Sequence, residues 1–259
     1  MKYTGLLGKN IQYSQSPKIH EDYYKLNELN FNYKLFDLQE NEITYFIENL
    51  DKNNIIGFNV TIPYKEHIIN YLNKVMYPAD DIGAVNTVGV TKVGLIGYNT
   101  DYLGFIKSLR VEGIKALVGR ALIIGNGGAA KSIFYALEYL GIQCIDIAGR
   151  NKQKIMGQFP KINKFIEFNS TINCENYDII VNCTPLGGVE HLEEFSLKLE
   201  NTSEKNILYD LIYIPEKTKF LQRGEESGAK IINGKNMLKF QAYFAIDIWE
   251  ASLKEQEDK

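Results

Sequence analysis

Three short polar clusters each close an apolar run: NVTIPYK (Asn59 to Lys65), GAVNT (Gly83 to Thr87) and GYNTDYLG (Gly97 to Gly104). Together with Ser14 and Ser16 of SQSP they offer Asn59, Thr61, Lys65, Asn86 and Asp101. Only Lys65 and Asp101 carry charge. The others are neutral hydrogen-bonding groups, a mixture that suits a small polyhydroxylated ligand, and the two serines suit a carboxylate. Taken singly, each residue also has a plainer reading. Ser16 and Asp101 are good caps for the helices that follow them, and Lys65 could be an exposed lysine at a helix start. His20, His67 and His191 stand apart, so no cluster of His, Cys and carboxylates has the spacing of a metal site. No Ser-His-Asp arrangement stands out.

A second kind of chemistry is written in GNGGAA, where Gly125, Gly127 and Ala130 give the pattern G-x-G-x-x-A. The pattern follows an apolar strand and opens a helix, the context in which it binds dinucleotides. The first glycine permits a tight turn, the second lets backbone approach a pyrophosphate, and the helix N-terminus presents free N–H groups to the anion. A tight turn needing glycine only for its backbone is the plainer alternative. NAD-binding folds usually place an acid at the tip of the next strand, to hold the ribose 2′-hydroxyl. Here the tip reads AGRNKQK, with Arg150 in place and Lys152 and Lys154 behind it. A guanidinium there suits a 2′-phosphate, which favours NADP. Asp146 has nearly the count of an NAD acid but lies inside the strand.

These residues need strand ends to carry them, and the chain supplies an alternation of strand and helix signals. YTGLLG, FNYKLFDL and IIGFNV read as strands, SPKIHEDYYKLNELN and KEHIINYLNKV as helices. Ile43, Phe46, Ile47 and Leu50 give another helix its apolar stripe. AVNTVGV and LIGYN make a hairpin, and DYLGFIKSLR a helix. ALIIG, IQCIDIAGR, YDIIVN, NILYD and AKIIN continue as strands, with helices in GNGGAAKSIFYALEYLG, TKFLQRGEESG and the long terminal NMLKFQAYFAIDIWEASLKEQ. Such alternation predicts an α/β fold with mainly parallel sheets covered on both faces. The expected division is residues 1–102 as a substrate-binding domain, completed by the helix of residues 236–259, and residues 103–235 as a Rossmann-type nucleotide-binding domain.

Composition sets the outer limits. The chain has 259 residues, 45% of them apolar, enough for packed cores. Its formal charge of −3 argues against a nucleic-acid binder. No apolar run approaches the ~20 residues that cross a bilayer, and the N-terminal stretch lacks the apolar core of a signal peptide, so a cytoplasmic protein is expected. Of the three cysteines, Cys144 and Cys183 lie in strand-like runs, where buried free thiols are expected.

Read in order, SQSPKIH, NVTIPYK, GAVNT, GYNTD, GNGGAAK, NCTPLG, YDLIYIP, NG and MLKFQA closely resemble the shikimate dehydrogenase family, part of a wider shikimate/quinate group. The resemblance spans nearly the whole chain. It implies two α/β domains with the active site in the cleft between them, and reversible NADPH-dependent reduction of 3-dehydroshikimate to shikimate, on the route to aromatic amino acids. By motif, Ser14 and Ser16 would bind the substrate carboxylate. Asn59, Thr61, Asn86, Asp101 and Gln241 would bind its hydroxyls, with Tyr213 nearby, and Lys65 would be catalytic, paired with Asp101. The NADP(H) site would take in Gly125, Asn126, Gly127, Gly128, Ala129, Arg150, Asn151, Thr184, Leu211 and Gly234. The family pattern departs at Gly149, Asn151 and Gly188, and the loop after Gly188 is acidic. A quinate/shikimate dehydrogenase using NAD(P) is the alternative, and the resemblance leaves monomer or homodimer open.

Overall fold

Leu6 and Leu7 sit side by side in the first strand and are both buried, in different cores. Successive strand residues face opposite sides of a sheet, so this sheet is covered on both faces. The computed structural model describes residues 1–257 and divides into two compact units. The first comprises Met1–Gly104 and the chain from Leu238 onward, and the second Phe105–Met237. The chain changes unit inside two continuous helices, α4 (Asp101–Val111) and α8 (Lys235–Glu257). No loop marks either crossing, which is why composition gave no boundary. The last two residues of the expected terminal helix, 258 and 259, lie outside the described residues.

The first unit holds β1 (Lys2–Gly8), α1 (Ser16–Leu26), β2 (Phe31–Asp37), α2 (Ile43–Glu48), β3 (Gly57–Val60), β4 (Lys74–Val75), α3 (Ala79–Ile82), β5 (Thr87–Thr91) and β6 (Gly94–Tyr98). Its sheet runs β2-β1-β3-β5-β6-β4. β1 is parallel to β2 and β3, and β5 is antiparallel to both β3 and β6. One face packs Leu7, Ile43, Ile55 and Phe58; the other packs Leu6, Tyr24, Ile56, Ile246 and Trp249. Trp249 brings α8 onto this sheet, giving its indole N–H to the Val88 carbonyl at 3.0 Å. Gly57 makes room for it: a Cβ there would lie 2.2 Å from the indole.

Several local expectations change here. KEHIINYLNKV forms a 3-10 turn (His67–Tyr71) followed by β4 rather than an α-helix, because Asn73 turns away to bond Leu95 across the sheet. α1 starts after Gln15, so Ser16 is its first residue and not its cap, and it ends at Leu26, short of Asn30. The first unit is thus mixed in strand direction, while the second is parallel.

In the second unit lie β7 (Arg120–Ile124), α5 (Gly128–Tyr139), β8 (Cys144–Gly149), α6 (Lys152–Gln158), β9 (Lys164–Glu167), β10 (Thr171–Asn173), β11 (Ile179–Asn182), β12 (Lys198–Glu200), β13 (Ile207–Asp210), α7 (Lys219–Glu226) and β14 (Lys230–Ile232). Six strands form a parallel sheet in the order β14-β13-β11-β7-β8-β9, and β10 and β12 pair separately. Counted from β7, that is the 3-2-1-4-5-6 order of a Rossmann fold. The buried thiol is Cys174, whereas Cys144 and Cys183 are only half-buried. They stand at the first position of β8 and just past the end of β11, where strand burial is incomplete.

Candidate active site

In the first unit, Lys65 Nζ lies 2.5 Å from Asp101 Oδ2, with the two side chains 13% and 7% exposed. The other carboxylate oxygen, Oδ1, accepts from Asn86 Nδ2 at 2.9 Å. Asn86 is oriented in turn by the Thr100 backbone N–H, which donates to its Oδ1 at 2.6 Å. A backbone N–H can only donate, so the opposite end of this amide is the NH2 group. That group also faces Thr100 Oγ1 at 2.9 Å and Gln241 Oε1 at 3.2 Å. Lys65, Asn86, Asp101 and Gln241 therefore form one buried network. Lys65 spends one of its three hydrogens on Asp101, leaving two for an incoming oxygen.

Asp101 does not cap α4. The Asn99 side chain does, accepting from the N–H groups of Asp101 at 3.1 Å and Tyr102 at 3.3 Å. With Asn99 at the helix end, both oxygens of Asp101 are left for Lys65 and Asn86. The polar run in GYNTD thus divides its labour: Asn99 caps, Thr100 orients Asn86, and Asp101 holds the lysine.

Asn59 joins the network through its Nδ2, 3.1 Å from Thr87 Oγ1 and 3.3 Å from the Asn86 carbonyl. Ser14 Oγ accepts from the Ser16 N–H at 3.2 Å at the start of α1. Thr61 is anchored by its backbone N–H to the Leu7 carbonyl at 2.9 Å, and its hydroxyl makes no side-chain bond to the others among the described residues. Tyr213 belongs to the second unit, between β13 and α7. Tyr33, Thr87 and Thr100 were not foreseen, although Thr87 and Thr100 stand inside GAVNT and GYNTD. Their threonine hydroxyls read as strand-end residues, and only the fold shows them facing one amide.

In the second unit the glycine loop leaves β7 at the centre of the sheet. Gly125 takes φ +108°, a conformation other residues rarely adopt. Gly127 sits at the cap position of α5, with no side chain bonding the helix's first N–H groups. A Cβ on Gly127 would meet nothing within 4 Å. No atom of this protein within that distance requires a glycine there. Gly128 and Ala129 follow as the first two residues of α5. Asn126 is held by Gln158, its Nδ2 donating to Oε1 at 2.9 Å.

Arg150 is exposed just past the tip of β8 and makes no ion pair among the described residues. Asp146 is fully buried and accepts from Arg120 Nη2 at 2.9 Å, the Tyr177 hydroxyl at 2.7 Å and Asn163 Nδ2 at 2.7 Å. Fully buried inside the strand, it offers no accessible oxygen to a ribose. Asn151 caps α6, accepting from the Lys154 N–H at 2.9 Å. Thr184 donates to Asn182 Oδ1 at 2.7 Å, and Leu211 is tied by its N–H to the Asn182 carbonyl at 3.0 Å. Gly234 is demanded by packing, since a Cβ there would lie 2.0 Å from the Leu211 carbonyl oxygen.

Asn182 also gives a hydrogen bond to the buried Asp210 at 3.0 Å. Burial pushes the Asp210 carboxyl up to about 7, against the lowering effect of donors on Thr218, Ile212 and Asn182. Among the described residues no group of His, Cys, Asp and Glu is arranged to hold a metal, and no helix is long and apolar enough to cross a membrane.

Residues 6–88 match the family model for the shikimate dehydrogenase substrate binding domain. A shikimate dehydrogenase (NADP(+)) of Clostridium botulinum (strain Loch Maree / Type A3) is 53% identical over 249 residues, covering 96% of each chain. A crystal structure of a shikimate dehydrogenase in complex with NADP+ aligns with a TM-score of 0.86 at 32% identity, over 97% of this chain and 90% of its own. The enzyme of Thermus thermophilus, solved in complex with NADP(H) and shikimate, aligns with a TM-score of 0.85 at 28% identity, over 98% of this chain and all of its own. With the residues of its polar network and its glycine loop in place, the chain belongs to the shikimate dehydrogenase family.

Proposed function

We propose that this protein is a shikimate dehydrogenase that interconverts 3-dehydroshikimate and shikimate with NADP(H) as coenzyme. The observation that carries the reading is the buried Lys65–Asp101 pair, closed on one side by Asn86 and with lysine hydrogens still to give. The first unit and α8 are assigned to substrate, the second unit to coenzyme.

NADPH supplies the hydride when bound. As the ketone is reduced, negative charge builds on its oxygen. Lys65 stabilises that charge and donates the proton, while Asp101 holds the ammonium in place. Asn86 keeps Asp101 oriented, Asn59, Thr61 and Gln241 bind the ring hydroxyls, and Ser14 and Ser16 bind the carboxylate. Tyr213 is assigned to the substrate as well. On the coenzyme side, the α5 N-terminus and the bare surface of Gly127 fit a pyrophosphate. The unpaired guanidinium of Arg150 fits a 2′-phosphate. Gly125, Asn126, Gly128, Ala129, Asn151, Thr184, Leu211 and Gly234 complete the coenzyme surface.

The test is spectrophotometric, with shikimate or quinate offered against NADP+ or NAD+. NADPH formation from shikimate, with quinate a poor substrate at best, is the expected result. Preferential turnover of quinate with NAD+ would move the protein to the quinate branch, and no reduction of either coenzyme by either acid would end the enzymatic reading.

A further inference from the structure

Asn59 reaches in two directions. Its Nδ2 faces the Asn86 carbonyl, which can only accept, so the opposite end of the amide is the oxygen. That oxygen accepts from the Tyr33 hydroxyl at 2.8 Å. Tyr33 is buried, at 5% exposure. Burial also pushes its phenol well above the ordinary tyrosine value, so the hydroxyl remains a donor. The ring is fixed by stacking on His20, with centroids 3.9 Å apart and planes 20° from parallel. His20 is itself pinned, Nδ1–H to the Ser16 carbonyl at 2.8 Å.

We propose that Tyr33 is a positioning residue that ties Asn59, through its hydroxyl, to the His20 ring that holds Ser16, so that this buried stacked pair sets the separation between the carboxylate-binding and hydroxyl-binding ends of the substrate site. This rests on the assignment of those two residues to shikimate made above. Ser16 is the first residue of α1, and Asn59 lies in β3; no regular hydrogen bond joins the two elements. The Tyr33 ring stacked on His20 supplies the missing cross-link, and the Thr87 hydroxyl holds the far side of the Asn59 amide. A ligand with a carboxylate and a ring hydroxyl at fixed spacing meets a site preset to that spacing, which lowers the cost of ordering both ends on binding.

Tyr33→Phe removes the hydroxyl and keeps the stacked ring. Loss of one positioning hydrogen bond is expected to raise KM for shikimate about tenfold, with a smaller fall in kcat. KM for NADP+ and the melting temperature should stay near those of the wild type. In an Asn59→Ala background the same change should raise KM by less than it does in the wild type, because half of the tie is already gone. If Tyr33→Phe does not fold, Thr87→Val tests the same clamp from the other side, with the same expected rise. An active Tyr33→Phe enzyme with unchanged KM for shikimate would overturn the proposal. So would an equal rise in both backgrounds, which marks a purely structural tyrosine. A wild-type protein that forms no NADPH from shikimate would instead remove the assignment beneath it.

Discussion

The two units solve the problem of holding a polar ligand in opposite ways. In the first, side chains predominate: Lys65, Asp101, Asn86, Thr87, Thr100 and Gln241 are linked by bonds of 2.5–3.5 Å in a largely buried setting. In the second, the proposed coenzyme surface is mostly backbone, namely the Gly125 turn and the open N-terminus of α5, with an exposed cation at Arg150. A buried network fixes geometry, and each member depends on the others. A backbone cradle with a surface arginine is modular, and its parts act nearly alone. Proton and charge chemistry needs the first arrangement; holding a phosphate needs only the second.

The largest effect is therefore expected in the first unit. Lys65→Ala should lower kcat by ~10²–10⁴, the usual contribution of a positioned acid or base. Affinity for shikimate should fall less, because the serines and amides remain. The variant should also melt earlier, since Asp101 is left as an uncompensated buried charge. Steady-state kinetics with melting curves reads both effects. A folded variant with near-normal kcat would contradict the assignment.

In the second unit, Arg150→Ala should weaken NADP+ by roughly 1.5–3 kcal/mol, the scale of a charge-assisted hydrogen bond, and leave NAD+ little changed. Titration of each coenzyme checks this. Equal loss for both coenzymes would make Arg150 structural. Asp146 offers no rescue as a ribose ligand, being fully buried and held by Arg120, Tyr177 and Asn163.

The contrast between the units extends to pH. Burial lowers His20 in the first unit from 6.5 to about 3. The unfolded chain then binds the extra proton between those values, so stability present above about pH 6.5 is lost as pH falls toward 3, by up to about 1.4 kcal/mol per pH decade. Asp210 in the second unit is raised from 3.8 to about 7. There the folded state binds the extra proton, so stability present below about pH 4 is lost as pH rises toward 7. Melting temperatures of wild type, His20→Gln and Asp210→Asn across that range separate the two. His20→Gln should flatten the acid side and Asp210→Asn the neutral side; parallel curves would place the titrating groups elsewhere.

The comparison also explains what could be read in advance. The nucleotide loop is local: Gly125, Gly127 and Ala130 carry their meaning within six residues, and the basic tip at Arg150 needs only the next strand. The first unit's site is assembled from β3, the turns around β5 and β6, α4 and α8, so its residues appeared only as separate clusters. Their family order identified Lys65, Asn86 and Asp101, but not which of the neighbouring residues does what. Asp101 looked like a helix cap because aspartate at a helix start usually is one; Asn99 takes that duty two residues earlier. Tyr33 gave no signal, since a tyrosine in an apolar strand reads as core until its hydroxyl is seen beside Asn59. Asn182 and Asp210 were inside quoted motifs, yet their pairing across β11 and β13 exists only in the sheet.

The central claim is that Lys65 and Asp101 act as one unit, and a double-mutant cycle on kcat tests it most directly. Lys65→Ala, Asp101→Asn and the double variant would be measured for shikimate-dependent NADPH formation at saturating substrates, each verified as folded by its melt. Asp101→Asn keeps the shape and removes the charge that holds the lysine, so it too should lose kcat. The double variant is predicted to lose far less than the product of the two single losses. Losses that simply multiply, or an Asp101→Asn enzyme as active as the wild type, would contradict the account.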